Sequence, residues 1–319
     1  MTFTTQSLSV GDRVEQGTYQ IHSRFNHAVN FISRGKLVSV VDKEVGAGPR
    51  NIVLHNLKLA RVDALEIRQR VVVLGPQRYP FSNRHVFRSR LEIAGFNPAT
   101  FRKNLSLFET LIVELAPAKS LAFILDRGGI RGLTSTFEQA FLQRITGGVE
   151  LIFAGQIIDG VRLLKGCGPG LTPSGDDFIA GLLFGLNFLQ EVLHRDFKQL
   201  INVVYQTASS GNIFSQTFLD LAREGRVFER LKDLIHTLNY AEERELHACA
   251  ERLFAVGASS GADLATGFLK TVQAGLCDFR GEFWPGCVLS LAEARKVIAA
   301  EESIEFVYVL KERHLICVR

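Results

Sequence analysis

The segment from Gly175 to His194 restricts the fold more than any other part of the chain. Its large apolar residues recur on nearly every face of a helix rather than along one stripe: Phe178, Ile179, Leu182, Leu183, Phe184, Leu186, Phe188 and Leu189. A helix that is apolar all round is buried in the middle of a helical domain. Gly181 and Gly185 lie four residues apart and would let a neighbouring helix approach closely. We therefore expect a central helix whose first turn lies beside a cleft.

Helical patterns fill the middle of the chain, because apolar residues recur at helical spacing from Thr134 onward. The candidate helices are Ser135–Ile145, Val149–Leu164, Gly175–His194, Asp196–Ser209, Ser215–Glu224, Val227–Leu238, Ala241–Val256 and Gly261–Gly275. These segments predict a mainly helical domain over residues 134–278.

The first 133 residues have a different pattern, in which short β-prone runs are separated by glycine and proline. The runs are Tyr19–Arg24, Ala28–Ser33, Lys36–Asp42, Ile52–Leu54, Arg70–Leu74, Leu111–Leu115 and Leu121–Leu125. Residues 81–110 match no single pattern. Near the end of the chain, Glu305–Leu310 and His314–Val318 predict a hairpin, and we expect residues 279–319 to return to the β-rich domain. The predicted fold class is α+β, with a β-rich domain over residues 1–133.

The composition argues against several classes of protein. The net charge is only +4 and there is no dense lysine or arginine run, which disfavours nucleic-acid binding. The five cysteines are far apart and form no C-x-x-C pair, so neither a disulfide framework nor a zinc knuckle is indicated. Residues 1–13 are polar and unlike a signal peptide. The stretch Phe178–Gln190 is shorter than the ~20 residues that span a membrane. We expect a cytoplasmic protein without membrane contact.

A glycine-rich segment directly before the central helix carries the candidate chemistry. It reads Gly166-Cys-Gly-Pro-Gly-Leu-Thr-Pro-Ser-Gly-Asp-Asp177. Glycines permit close backbone approach, and a loop entering a helix N-terminus exposes N–H groups that suit phosphate or carboxylate. Thr172 or Ser174 can cap the helix, with Pro173 in its first turn. The candidate anion-binding residues in this segment are Gly168, Gly170, Thr172, Ser174 and Gly175.

Two interpretations of the acids in this segment remain open. Ser174 and Asp177 have the spacing of a simple capping box, which needs no ligand. Alternatively, Asp176 or Asp177 handles a proton or an amide N–H. Both carboxylates would repel an anion, so Lys165, an arginine from elsewhere or a divalent metal such as Mg²⁺ would have to offset them. Adjacent residues point about 100° apart on a helix, so we expect only one of the two acids to face a given ligand.

A second segment repeats the pattern S-G-x-D-x-x-x-G that runs from Ser174 to Gly181. It runs from Ser260 to Gly267 and contains Gly261 and Asp263, with Ser259 just before it. A weaker third junction, Ser209-Ser-Gly-Asn212, precedes Ser215. Ordinary helix capping would explain all three, but we favour convergence of the first two on one pocket. The candidate catalytic residues are Asp176, Asp177 and Asp263, and the candidate binding residues here are Asn212, Ser215, Ser259, Ser260 and Gly261.

The long motif Gly168-Pro-Gly-Leu-Thr-Pro-Ser-Gly-Asp-Asp-Phe178, followed by Ala180-Gly181, resembles the signature of the AllH family of oxamate carbamoyltransferase subunits. The similarity extends to the Asn212/Ser215 region and to Gly257–Asp263, and more weakly to Asn30 and Gly48-Pro49. The resemblance implies carbamoyl transfer between oxamate and carbamoyl phosphate in anaerobic allantoin breakdown, with partner subunits. Carbamate kinase would then use the carbamoyl phosphate. The cofactor stays open, and if a metal such as Mg²⁺ binds, Asp176 and Asp177 are its candidate ligands.

Two other functions remain open from the sequence. The chain could be a non-catalytic subunit that binds a small anion or supports a partner. Less favoured is a metal-dependent hydrolase that uses Asp176, Asp177 and Asp263. The chain contains no G-x-x-x-x-G-K-[ST], H-E-x-x-H or G-x-S-x-G motif, so the common ATPase, metalloprotease and α/β-hydrolase routes have no support.

Overall fold

The computed structural model describes residues 8–54, 59, 62–126, 135–240, 242–277, 308–311 and 314–317. Its N-terminal part is one nine-stranded sheet with the strand order β8-β7-β6-β2-β3-β4-β5-β1-β9. The strands are β1 Leu8–Gly11, β2 Gly17–Arg24, β3 Ala28–Ser33, β4 Lys36–Val41, β5 Asn51–Leu54, β6 Leu65–Arg68, β7 Val71–Leu74, β8 Gln77–Pro80 and β9 Val86–Phe87. Neighbouring strands are antiparallel except for the parallel pairs β4–β5 and β1–β9.

The C-terminal part is helical. Its helices are α1 Pro98–Leu115, α2 Thr136–Phe153, α3 Ile157–Leu164, α4 Ser174–Leu193, α5 Lys198–Ala208, α6 Ile213–Arg223, α7 Glu229–Tyr240, α8 Glu243–Phe254 and α9 Ser260–Cys277. One apolar core joins these helices, and a separate core fills the sheet. The α+β class is therefore confirmed. The predicted domain boundary near residue 133 lies outside the described residues and stays a prediction.

The predicted central helix is confirmed as α4. Every residue from Ser174 to Leu186 is buried, and the helix packs most extensively against α9. A Cβ atom added to Gly181 would lie 2.1 Å from the carbonyl oxygen of Leu264, and one added to Gly267 would lie 2.2 Å from that of Phe178. The backbones of α4 and α9 therefore touch at two glycines, one on each helix.

Two predicted strands are wrong. Leu111–Leu115 is the end of α1, and Leu121–Ile124 is a short 3-10 helix. The Asn97 side chain caps α1 by accepting hydrogen bonds from the N–H groups of Ala99 and Thr100, and Pro98 fits the first turn. These signals lie in the segment that matched no pattern. Residues 111–115 were predicted as a strand because they are mostly leucine, isoleucine and valine, and this composition was given more weight than the helical spacing of the apolar residues.

One predicted helix boundary is also wrong. The sequence placed a break between Ile145 and Val149, whereas α2 runs unbroken to Phe153. Gly148 does not end the helix. It allows α3 to pack closely, since an added Cβ would lie 2.8 Å from the Leu164 side chain. The chain turns instead at Gly155, whose φ of +88° favours glycine.

The predicted C-terminal hairpin is present as β10 Tyr308–Lys311 and β11 His314–Cys317. These strands pair with each other as a separate two-stranded sheet. The return of residues 279–319 to the β-rich domain stays a prediction, because most of that segment lies outside the described residues. Within the described part of the chain, no helix has the length and apolar character needed to cross a membrane.

Candidate active site at the N-termini of α4 and α9

The glycine-rich loop from Gly166 to Pro173 lies over the start of α4. Gly168 and Gly170 have φ angles of +118° and +107°, which side-chain-bearing residues rarely adopt. The helix begins at Ser174, and no side-chain cap forms at its N-cap residue Pro173. The capping roles considered for Thr172 and Ser174 are therefore wrong, and so is the Ser174–Asp177 capping box. Instead, the Thr172 hydroxyl donates a hydrogen bond to Asp177 Oδ2 at 3.0 Å.

Asp176 and Asp177 point to different neighbours, as adjacent helix positions require. Asp176 holds the loop closed, because its Oδ1 accepts a 2.7 Å hydrogen bond from the N–H of Gly166. Asp177 faces α9, and its carboxyl lies close enough to Ser260 and Asp263 for both to affect its pKa. Of the two acids, only Asp177 therefore lies at the meeting point of the helices.

Gly175 and Gly261 serve the packing of these helix starts. An added Cβ would lie 1.9 Å from the carbonyl oxygen of Leu164 at Gly175 and of Leu253 at Gly261. The Gly175 N–H donates to the Cys167 carbonyl, and that of Gly261 to Val256. Neither N–H group is free for an anion.

Other backbone donors of the loop remain free. The N–H groups of Asp176 and Asp177 are occupied, since both donate to the carbonyl of Pro173. The N–H groups of Gly168 and Gly170 have no hydrogen-bond partner among the described residues. An anion held by backbone amides at this site can therefore use those of Gly168 and Gly170, but not those of Gly175, Asp176 or Asp177.

The second motif places Asp263 in a well-filled hydrogen-bond environment. Its Oδ1 accepts from the N–H of Leu121 at 2.6 Å, and its Oδ2 accepts from the Ser259 hydroxyl at 2.9 Å. The Ser174 hydroxyl of the first motif also hydrogen bonds to this carboxyl. The Ser260 hydroxyl acts in the same way on Asp177. The first serine of each motif thus contacts the aspartate of the other.

Burial raises the pKa of both carboxyl groups. The pKa of Asp177 lies well above its usual value, mainly because the side chain is buried and also because Asp263 and Asp176 are near. Hydrogen bonds from Ser260 and Thr172 oppose the shift. Burial raises the pKa of Asp263 to about 6 against the hydrogen bonds from Leu121, Ser174 and Ser259. Burial therefore favours the neutral, protonated form of both carboxyl groups.

The third Gly/Ser junction, residues 209–212, contacts the glycine-rich loop. The Asn212 side chain caps α6 and donates a 2.7 Å hydrogen bond to the carbonyl of Leu171. Three buried oxygens in or next to these Gly/Ser junctions have no hydrogen-bond partner among the described residues: Asp176 Oδ2, Asp177 Oδ1 and Ser215 Oγ. A buried polar atom without a partner costs about 1–3 kcal/mol. These atoms are therefore candidates for contacts with a ligand.

Two participants were missed by the sequence analysis. Leu121 was assigned to a strand, and a backbone donor gives no side-chain signal. Arg144 lies behind the glycine-rich loop, where its guanidinium donates to the carbonyls of Leu163 and Lys165. In the sequence, α3 lies between Arg144 and the loop, so only the packing of α2 against α3 shows that this arginine is close to the loop. Cys167 is buried, which raises the pKa of its thiol, and this agrees with a structural role.

Metal binding finds little support at this site. Among the described residues, no three histidine, cysteine, aspartate or glutamate side chains cluster closely enough to hold a metal ion. Asp176 uses its Oδ1 on the loop and Asp263 accepts hydrogen bonds on both oxygens, so that two carboxyl oxygens of these three acids, Asp176 Oδ2 and Asp177 Oδ1, are left without a partner. The donor set therefore does not fit the metal-dependent hydrolase that was considered from the sequence.

Fold and site together define an α+β protein with three buried carboxyl groups, Asp176, Asp177 and Asp263, at the starts of two helices that meet at glycines. Residues 164–272, which include both motifs, match the family model of the oxamate carbamoyltransferase subunit AllH. Residues 3–94, a range that includes strands β1 to β9, match the model of the AllH family N-terminal domain. The two matches span more than half of the chain, and the chain belongs to the AllH family. No curated protein and no solved structure shows a significant match.

Proposed function

We propose that this chain is the subunit of an oxamate carbamoyltransferase that carries the reacting site, in which Asp177 and Asp263 act on oxamate and carbamoyl phosphate. The observation that carries the proposal is the pair of buried carboxyls with unequal environments. Asp263 accepts hydrogen bonds on both oxygens, whereas Asp177 Oδ1 has none. Titratable groups whose pKa values are shifted by burial and by a neighbouring carboxyl are typical of catalytic sites.

The proposed reaction transfers a carbamoyl group to the amide nitrogen of oxamate. That nitrogen attacks the carbonyl carbon of carbamoyl phosphate, a C–N bond forms, and the C–O bond to phosphate breaks with its electron pair on the phosphate oxygen. The nitrogen gives up one proton. In the catabolic direction the same steps run in reverse, and phosphate attacks the carbamoyl carbon of oxalurate. Holding both substrates together supplies a large part of the rate.

The raised pKa values of the two carboxyl groups suit this reaction. Asp263, with a pKa of about 6, is mostly ionised at neutral pH and can accept the nitrogen proton. Burial raises the pKa of Asp177 and so favours its neutral form, which does not repel a carboxylate or a phosphate. Its unpartnered Oδ1 can exchange a hydrogen bond with a substrate. This removes the charge conflict that two ionised acids would create beside an anion.

The loop supplies candidate contacts for the substrate oxygens. The N–H groups of Gly168 and Gly170 are free of other described residues, and the Ser215 hydroxyl is buried without a partner. Preorganised donors of this kind stabilise the charge that develops on a carbonyl oxygen during acyl transfer. Thr172, Ser174, Ser259 and Ser260 would hold the two carboxyls in position rather than contact the substrates.

Both carboxyls are closed off from solvent in this structure, at 1% and 0% exposure for Asp177 and Asp263. Substrates can reach them only if the loop over Gly168–Pro173 lifts. We assign that opening to binding of the partner subunits of the cytoplasmic enzyme complex. The same burial favours one alternative, in which the pair only joins α4 to α9 and this chain is a non-catalytic subunit.

The test uses the reconstituted complex and follows phosphorolysis of oxalurate to carbamoyl phosphate. Asp263→Asn should lower kcat by about 100-fold or more, the usual contribution of a proton-transferring group, and Asp177→Ala should lower kcat/KM by about tenfold or more, because it removes the hydrogen bond of this carboxyl with a substrate. Asp159→Asn is the matched control, because this acid also lies in a helix first turn but is exposed and paired with Arg162. Full activity in both site variants would favour the non-catalytic alternative and contradict the proposal.

A further inference from the structure

A cavity of about 350 Å³ opens in the N-terminal sheet, away from the carboxyl pair. It lies between the β1–β2 connection, the start of β2 and the β3–β4 turn. Its lining contains four basic side chains, Arg13, Arg34, Lys36 and Arg50, and one acid, Glu15. Ligand pockets commonly begin at about 300 Å³. The size suits a small ligand, and the charge suits an anion.

Two of the basic groups already have partners. Lys36 forms an ion pair with Glu15 inside the cavity, and Arg13 pairs with Glu224 at its edge. Arg34 and Arg50 form no ion pair or side-chain hydrogen bond with any described residue. The cavity therefore holds two guanidinium groups without an ion-pair partner, and Glu15 is the one acidic side chain in its lining against four basic ones.

Further unpartnered donors accompany these guanidinium groups. The hydroxyls of Thr18 and Ser33 line the same cavity and have no hydrogen-bond partner among residues with described side chains. The positive field is also felt by Glu15, whose pKa is lowered first by its hydrogen bond with Lys36 and then by the charges of Lys36, Arg50 and Arg34. The cavity thus offers many more donors than acceptors.

We infer that this cavity binds the phosphate group of a small phosphorylated compound. Guanidinium groups present planar pairs of N–H donors that match phosphate oxygens, and two of them can hold one phosphate from two sides. The hydroxyls of Thr18 and Ser33 can donate hydrogen bonds to the remaining phosphate oxygens. A lone carboxylate has fewer oxygens to use this donor set.

This site is distinct from the carboxyl pair and does not rest on the proposed carbamoyl transfer. Helix α6 separates the two regions. Arg13 at the cavity contacts Glu224 just after the end of α6, whereas Asn212 just before its start contacts the glycine-rich loop. The 11 residues of α6 span ~16 Å at 1.5 Å per residue.

The turn that carries Arg34 permits a variant that spares the fold. Arg34 has a φ of +49°, in the left-handed region, where asparagine is better tolerated than arginine. Arg34→Asn therefore removes the guanidinium while favouring the native turn. Arg70 has a φ of +53° at the β6–β7 turn and does not line the cavity. Arg70→Asn is thus a matched control with the same charge change.

The experiment titrates the full chain with pyrophosphate, inorganic phosphate and oxalate by calorimetry. We expect pyrophosphate to bind to the wild type and to Arg70→Asn equally, and to bind at least about tenfold more weakly to Arg34→Asn and to Arg50→Gln, because each loses a charge-assisted contact. Affinity unchanged in both cavity variants, an equal loss in Arg70→Asn, absence of pyrophosphate binding, or tighter binding of oxalate would each overturn the proposal.

Discussion

The two S-G-x-D-x-x-x-G segments form the same local frame from the same residues. In each, the serine opens a helix, the first glycine lies against the carbonyl of a preceding helix, and the last glycine lies against the backbone of the other segment's helix. Gly181 contacts the residue after Asp263, and Gly267 contacts the residue after Asp177. The contacts are therefore reciprocal, with each motif completing the other.

The aspartates at the centres of these frames nevertheless differ. Asp263 is held by the N–H of Leu121 and by serine hydroxyls, so both of its oxygens are used. Asp177 lacks a backbone donor from a third element, and its Oδ1 has no partner. The repeated sequence pattern thus gives both aspartates the same backbone setting. The neighbouring residues of each motif decide how many hydrogen bonds its carboxyl accepts, and only Asp177 keeps an oxygen without a partner.

The largest expected loss of stability comes from disrupting the close contact between α4 and α9. Gly181→Ala and Gly267→Ala each place a methyl group within 2.2 Å of a backbone oxygen, so α4 and α9 must move apart. We expect each variant to lower the free energy of unfolding by about 3 kcal/mol, the upper end for overpacking. Urea unfolding measures this loss. Gly147→Ala in α2, where an added Cβ meets no atom within 4 Å, is the control and should raise stability by about 0.5–1 kcal/mol.

A second prediction separates the two aspartates by pH. The pKa of Asp263 is about 6 in the folded protein against 3.8 as its ordinary value. The folded state therefore binds the proton more tightly, and stability falls as pH rises from about 4 to about 6, by about 3 kcal/mol in total. The loss is complete above that range.

Urea unfolding of the wild type and Asp263→Asn at about pH 4 and about pH 7.5 tests this titration. Asparagine cannot ionise, so the variant should lack this part of the pH dependence and gain relative stability at the higher pH. An identical pH profile for the two proteins would contradict the raised pKa. Asp177→Asn should show a change of the same sign, because burial raises the pKa of Asp177 as well.

The smallest expected loss of stability comes from removing one hydroxyl that hydrogen bonds to each carboxyl. Thr172→Val removes the donor to Asp177, and Ser259→Ala removes one donor to Asp263. Each should cost about 1 kcal/mol of unfolding free energy at neutral pH. Because each hydroxyl lowers the pKa of its carboxyl, removing it should raise that pKa further. Thermal unfolding as a function of pH measures both effects, and a downward shift of either pKa would contradict the assigned contacts.

The sequence by itself determined the positions of most helices and the burial of α4, since a helix with apolar residues on all faces has no stable position at a surface. It also identified both motifs and the family, because motif spacing is local and survives without knowledge of packing. The strand at the end of α1 was mispredicted since short apolar runs suit either structure, and the cap at Asn97 lay in a segment without periodicity.

Only the tertiary structure decided which polar groups meet. Sequence alone could not show that Ser174 faces Asp263 and Ser260 faces Asp177, because the two motifs are far apart in the chain and only the packing of α4 on α9 brings them together. Likewise, the Leu121 N–H carries no side-chain signal, and the basic cavity joins residues from three strand connections. Backbone donors, burial and unpaired charge depend on what surrounds a residue, and those surroundings exist only once the chain has folded.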